Sequence, residues 1–115
     1  MIQKINLLEK ANSIGSLFQY LAVGRLNDHV LSVLQAENRT LDFHIHENSD
    51  ELFFVIEGSF AIELDDGLVT LDQGDIIIVP KGVNHRPVCK ELVKCLLIEH
   101  NGTLNNDNTG GTYAN

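Results

Sequence analysis

Short apolar runs, separated by turn-forming residues, cover most of this 115-residue chain. In several of them apolar and polar residues alternate, which is the period of a half-buried β-strand rather than of a helix. The pattern predicts strands over 17–26, 29–36, 41–46, 51–58, 60–71, 74–82 and 92–100. Residues 2–11 predict at most a short helix, so the predicted fold class is all-β, a sandwich or a barrel.

Turn-forming residues mark the ends of these strands. Asp66 and Gly67 lie between two alternating runs, and glycine accepts the positive φ of a tight hairpin turn. The run at 74–82 is predicted to be a buried strand that ends at Pro80, because proline has no N–H to donate to a sheet. The last 15 residues include five Asn, three Gly and three Thr. We therefore expect one domain over 1–100 and an arm over 101–115.

Charge and composition limit the partners. The net charge is −8, from 16 acidic and 8 basic residues, whereas nucleic acids and anionic membranes require a basic surface. Neither is therefore expected as a partner. No apolar run approaches the ~18 residues of a membrane-spanning helix, and the first residues lack the pattern of a secretory signal. We expect a cytoplasmic protein, with Cys89 and Cys95 as reduced thiols.

Two histidines and a carboxylate form the first half of a candidate site. The alternation in the predicted strand over 41–46 places His44 and His46 on one face, opposite Phe43 and Ile45. Two imidazoles that point the same way can bind one metal ion. Glu51 could return to them from the next strand, although a solvated acid in a polar run is the plainer alternative for this residue.

A third histidine supports the metal interpretation. After Pro80 the chain turns through Lys81 and Gly82 and then presents His85, and a residue without Cβ allows such a tight turn. Three neutral imidazoles and one carboxylate, with space left for water or substrate, are typical of a catalytic metal site. Nitrogen and oxygen ligands suit zinc, nickel, iron and manganese alike.

These residues also match two motifs of the cupins. The first motif, G(x)5HxH(x)3–4E(x)6G, is matched by His44, His46, Glu51 and Gly58. The second, G(x)5PxG(x)2H(x)3N, is matched by Gly74, Pro80, Gly82 and His85. The chain therefore resembles a small single-domain cupin of the RmlC-like type. It departs from the motifs at the first glycine, where Asn38 and Arg39 stand, and at the final asparagine, which is Cys89.

The resemblance implies a fold, a metal and an oligomeric state. It implies a double-stranded β-helix, the jelly-roll barrel of the cupins, in which one divalent transition metal is bound by His44, His46, Glu51 and His85. It also implies a homodimer in which N-terminal strands add to the sheet of the partner subunit. The apolar stretch at 17–23 is consistent with such an edge.

The resemblance leaves the reaction open. Similar cupins include sugar-phosphate isomerases, dioxygenases, decarboxylases and lyases, so we expect a small metalloenzyme that acts on a compact oxygenated substrate. No catalytic residue beyond the ligands is identified. The alternative is a non-catalytic module that binds a sugar or a small acid, as sensor domains of similar fold do.

Alternation along the predicted strand over 51–58 also predicts which residues line the cavity. Phe53 and Val55 share the face of Glu51 and should line the cavity, while Phe54 and Ile56 should point away.

Other residues are assigned to the wall or to the surface. Cys89 shares the face of His85 if the segment is extended, and a small buried apolar residue is the favoured interpretation. His29 and His100 are expected at the surface, and Glu99 is not assigned to the site.

Overall fold

The computed structural model describes residues 2–103, and these contain one short helix and nine strands. The elements are α1 (Leu7–Asn12), β1 (Leu21–Leu26), β2 (His29–Ala36), β3 (Arg39–Thr40), β4 (Glu51–Glu57), β5 (Phe60–Leu64), β6 (Gly67–Leu71), β7 (Ile76–Val79), β8 (His85–Cys89) and β9 (Val93–His100). The all-β prediction is confirmed.

The strands form two sheets. The larger sheet has the order β1-β2-β9-β4-β7 and the smaller one β3-β8-β5-β6, with antiparallel pairing between neighbours. Many neighbours are distant in sequence, as where β9 lies between β2 and β4. Two packed antiparallel sheets with such crossing connections form a jelly roll, the double-stranded β-helix expected from the sequence.

The main core lies between the sheets and continues into the site. Its buried members include Phe53, Val55, Phe60, Ile62, Leu71, Val79, Val93 and Leu97. Alternation along β4 buries Phe53 and Val55, as predicted, because every second side chain of a strand faces the same way.

A second apolar cluster covers the outer face of the larger sheet. Helix α1 packs there with Ala11 against Val33 and Leu96, and Phe54 and Ile56 join this cluster rather than the core. Asn6 caps the helix, since its Oδ1 accepts a hydrogen bond of 2.9 Å from the N–H of Glu9. The predicted helix over 2–11 is therefore shorter and begins later than the sequence pattern indicated.

Three predicted strands differ from those in the structure. The strand predicted over 17–26 begins only at Leu21, because Phe18 has a φ of 60°, in the left-handed region that extended strands avoid. The segment over 41–46 is irregular, with one bridge from His44 to His85.

The prediction of a buried strand over 74–82 was also wrong. Strand β7 spans only Ile76–Val79 and lies at the edge of the larger sheet. Ile76 and Ile78 are 56% and 55% exposed. An apolar run predicts a strand, but it does not tell whether another element covers that strand.

The pattern also missed strand β8, which contains Pro87. It predicted the β5–β6 hairpin, but the turn is formed by Asp65 and Asp66. Gly67 pairs with Leu64 as the first residue of β6 and has no positive φ. Most of the arm predicted over 101–115 lies outside the described residues. Within residues 2–103, no helix has the length and apolar character needed to cross a bilayer.

Candidate metal centre

Backbone pairing brings three separate segments to one end of the barrel. His44 and His85 exchange two hydrogen bonds, from His44 N to His85 O at 2.9 Å and from His85 N to His44 O at 3.1 Å. The N–H of Gly82 donates to the carbonyl of His46 at 2.9 Å, and Gly82 has a φ of 82° that other residues adopt with strain. Glu51 starts β4, which faces them across the interior.

The side chains converge on a small buried volume. One potential ligand atom from each of His44, His46, Glu51 and His85 lies within 4.8 Å of all the others. His85 Nε2 is 2.9 Å from Glu51 Oε1, and His46 Nε2 is 3.0 Å from Glu51 Oε2. The structure thus brings together all four predicted ligands, and their binding of a metal stays a prediction.

Main-chain carbonyls orient two of the imidazoles. His44 Nδ1 lies 2.8 Å from the carbonyl of Asp42, and His85 Nδ1 lies 2.9 Å from the carbonyl of Val83. A carbonyl only accepts, so each Nδ1 donates. The Nε2 of a neutral His44 ring then has a lone pair for a metal ion, whereas the Nε2 of His85 donates to Glu51 and would have to release that hydrogen to a metal. This is the support that metal-binding histidines ordinarily receive.

His46 provides the clearest evidence that a metal fits. It is 3% exposed, yet neither ring nitrogen has a hydrogen-bond partner among the described residues. Nε2 lies 3.0 Å from Glu51 Oε2, which is an ion-pair distance, but the contact does not meet the geometry of a hydrogen bond. Leaving a buried imidazole unpaired is unfavourable unless a metal ion completes it.

Electrostatics suit a cationic occupant. Burial alone would raise the pKa of Glu51, but contacts with His46 and His85 outweigh it and lower the pKa to about 2. Burial would lower the pKa of His85, and the hydrogen bond with Glu51 raises it instead. Burial lowers the pKa of His44. Glu51 is therefore ionised, and a metal ion would displace the proton that it attracts to His85.

Cys89 has the role expected from the sequence. It lies on the inward face of β8 and is buried against the core, and burial raises the pKa of its thiol to about 11. Burial also raises the pKa of Cys95, which lines the same cavity. Both are therefore neutral thiols that pack as small apolar residues.

The sequence reasoning missed one buried acid, Glu99. It is 4% exposed, and burial together with the charge of Glu51 raises its pKa to about 10. The signal was present in the alternation along β9, where Cys95 and Leu97 are inward and Glu99 is next on that face. By contrast, His29 and His100 pair outside the site, with ring centroids 4.4 Å apart.

The departure from the first motif leaves its geometry intact. The position of the first glycine is occupied by Asn38, whose φ is 51°. Asparagine is one of the few residues other than glycine that adopt this left-handed conformation readily. The turn before the two histidines is therefore the turn that a glycine would allow.

Comparisons with known proteins agree with this geometry. The cupin-domain family model matches residues 30–99. The uncharacterized protein YdbB of Bacillus subtilis (strain 168) is 35% identical over 98 residues, which cover 83% of this chain and 84% of YdbB. The structure of a cupin-2 domain protein from Shewanella frigidimarina has a TM-score of 0.79 and 31% identity, covering 84% of this chain and 93% of that one.

A more distant match has a named activity. The 3-hydroxyanthranilate 3,4-dioxygenase of Bacillus thuringiensis (strain Al Hakam) is 33% identical over 66 residues, which cover 53% of this chain and 36% of the dioxygenase. The family model covers more than half of the chain and includes all four residues of the candidate metal centre. From its barrel, its motifs and these matches, the chain belongs to the cupin family.

Proposed function

We propose that this cupin is a small metalloenzyme that uses one divalent transition metal, bound by His44, His46, Glu51 and His85. The observation that carries the proposal is the convergence of four buried ligand atoms around an imidazole, that of His46, with no hydrogen-bond partner among the described residues. Three nitrogens and one carboxylate oxygen suit zinc, nickel, iron and manganese.

The metal and the protein have separate tasks in this proposal. A metal in such a site supplies a Lewis acid that polarises a carbonyl or lowers the pKa of water, and iron adds chemistry with dioxygen. The protein holds the rings of His44 and His85 in one tautomer through two carbonyl groups. Glu51 provides the negative charge that offsets the charge of the ion.

The cavity next to the ligands indicates a compact substrate. Its volume is about 30 Å³, which is space for one or two water molecules, so a larger ligand requires side chains at the mouth to move. Apart from the ligands, its walls are Phe18, Tyr20, Leu34, Ala36, Leu41, Phe53, Phe60, Pro87, Cys89, Val93, Cys95 and Leu97.

These walls also limit the chemistry of the substrate. A buried hydroxyl without a partner costs about 1–3 kcal/mol, so a mainly apolar wall disfavours a sugar with many hydroxyl groups. We therefore propose a substrate with an oxygen-bearing group at the metal and an apolar body. Among the expected reaction classes, the match to a dioxygenase supports testing oxygen chemistry first.

A non-catalytic binding module is the second candidate. Apart from His44, His46 and Glu51, the described residues that line the cavity include no carboxylate, imidazole or ammonium group. Proton transfer would therefore involve the ligands, Tyr20, a buried thiol or a group outside the cavity. This small number of proton-transfer groups is the observation that supports binding without turnover as the alternative.

Metal content is the first test. Protein purified without a histidine tag should contain close to one metal ion per chain by elemental analysis. His46→Ala should lose it, because the barrel then provides two imidazoles in place of three. His29→Ala is the matched control, since that ring lies outside the cluster. Wild-type protein that stays metal-free after incubation with zinc, nickel, iron and manganese would refute the proposal.

Oxygen consumption distinguishes the two candidates. Iron-loaded protein should consume dioxygen with 3-hydroxyanthranilate or catechol as probes, and His46→Ala should not. Protein loaded with zinc, nickel or manganese is then tested for isomerase, decarboxylase and lyase activity by analysis of the products. Saturable binding of a probe without any product, for every metal that loads, would favour the binding module.

A further inference from the structure

Glu99 lies opposite a metal-binding carboxylate. Strands β4 and β9 are antiparallel neighbours, and Leu52 pairs with Ile98. The same register places Glu51 opposite Glu99, with both side chains buried on the inner face. Directly opposed residues in an antiparallel pair have Cβ atoms about 4.5–5.5 Å apart, so the two carboxyl groups are within reach of each other.

Placing two buried carboxyl groups opposite each other is unfavourable for stability, so it requires a compensating role. Like charges directly opposite each other on neighbouring strands are destabilising, and a buried acid is costly without partners. The carboxyl group of Glu99 interacts with that of Glu51, and its Oε2 has no hydrogen-bond partner among residues 2–103. An apolar side chain would fill the same place in the core at lower cost.

Metal binding at Glu51 would provide that role. Without a metal, His46 and His85 direct Nε2 at the two oxygens of Glu51. An imidazole that binds a metal through Nε2 no longer has a hydrogen there to donate. Glu51 then loses the hydrogen bond from His85 and the ion pair with His46, and Glu99 remains as the described side chain that can still hold it. Carboxylates that bind metals are ordinarily fixed by such outer hydrogen bonds.

We infer that Glu99 is a positioning residue that holds the Glu51 carboxylate in its metal-binding orientation. The inference rests on the proposed function, because it requires a metal at the site. Glu99 itself is outside the group of four ligand atoms that lie within 4.8 Å of one another. It therefore acts through Glu51 and not as a ligand.

Two substitutions test the hydrogen bond against the volume of the side chain. Glu99→Leu removes the donor at similar size, and it should weaken zinc binding about 10–100-fold in competition with a chelator. Glu99→Gln keeps an N–H donor and should retain the wild-type affinity. The visible absorption of cobalt-loaded protein should change in Glu99→Leu and not in Glu99→Gln. Glu99→Met replaces the leucine variant if that protein does not fold.

Leu96→Ala is the matched control. Leu96 lies on the same strand but packs on the outer face of the sheet with Ala11, so its truncation lowers stability without touching the site. It should reduce the melting temperature and leave zinc affinity unchanged. The inference is overturned if Glu99→Leu and Glu99→Met bind zinc like the wild type, or if Glu99→Gln is as weak as they are. Absence of metal from the wild type would refute the proposed function instead.

Discussion

At the scale of single residues, three of the four candidate ligands depend on a neighbour that is not a ligand. The carbonyl groups of Asp42 and Val83 orient two imidazoles, and Glu99 contacts Glu51. Main-chain groups cannot be removed by substitution, so these two imidazoles keep their orientation whatever side chains are present at 42 and 83. The contact with Glu51 has no such protection, since it depends on the side chain at 99.

Glu99→Gln should stabilise the metal-free protein more at high pH than at low pH. The fold raises the pKa of Glu99 from its ordinary 4.5 to about 10, so the folded state keeps a proton that the unfolded chain releases. The contribution of Glu99 to the free energy of unfolding is therefore complete below pH 4.5, and it is lost progressively as the pH rises towards 10. Glutamine has no such proton, so its advantage should grow by at most about 1.4 kcal/mol per pH unit.

Urea unfolding with a chelator present, at several pH values between 5 and 8, measures this difference. Glu63→Gln is the control, because Glu63 is paired with Arg86 at the partly exposed surface, where salt bridges contribute little. An advantage of Glu99→Gln that does not change with pH would show that Glu99 is ionised in the folded protein.

The sequence predicted the four clustered residues but not the acid behind them. Motif spacing is a local property, so His44, His46 and Glu51 could be assigned without any knowledge of the sheet order. The role of Glu99 depends on the pairing of β9 with β4, which no local pattern contains. The motif also could not predict the left-handed conformation of Asn38, because the motif specifies residue types and not backbone angles.

At the scale of elements, alternation predicted strands well where one face is buried and the other is solvated. It failed at β8, where Pro87 follows a tight turn and breaks the usual signs of a strand. It also failed at β7, because burial depends on whether a neighbouring element covers the strand. Alternation also predicted that β1 begins at residue 17, whereas the left-handed conformation of Phe18 delays its start to Leu21.

The turn between β4 and β5 should not tolerate a side chain at Gly58. This residue has a φ of 89°, and a Cβ there would meet the carbonyl oxygen of Leu92. Both the conformation and the collision oppose alanine, so Gly58→Ala should reduce the free energy of unfolding by about 2–4 kcal/mol. Urea unfolding measures the loss.

Gly67→Ala is the control for that experiment. Gly67 has no positive φ, and a Cβ there meets no atom within 4 Å. The alanine variant should therefore unfold within about 1 kcal/mol of the wild type. Equal losses for the two variants would mean that neither the conformation nor the contact at Gly58 matters for stability.

At the scale of the whole molecule, the larger sheet has an exposed apolar edge. Ile76 and Ile78 on β7 are both more than half exposed, and the N-terminal segment has exposed apolar residues at Ile2 and Ile5. Open edge strands with apolar side chains favour pairing with another chain. We propose a homodimer in which the N-terminal segment of each subunit covers the β7 edge of the other.

Ile78→Lys should separate such a dimer, because a charged side chain at an edge opposes pairing. Light scattering at low micromolar concentration should give twice the chain mass of 12.8 kDa for the wild type and 12.8 kDa for the variant. Leu68→Lys, at an exposed position of β6, should remain dimeric. A wild-type protein that is monomeric at this concentration would contradict the proposal.

The bridge between His44 and His85 also has a consequence for how the protein folds. These two residues are far apart in the chain, and their hydrogen bonds form only after β8 has docked beside the segment that follows β3. Closing so long a loop carries an entropic penalty that short-range contacts do not. A nascent chain therefore brings its four candidate metal ligands together late, after the distant strands have met, as the barrel closes.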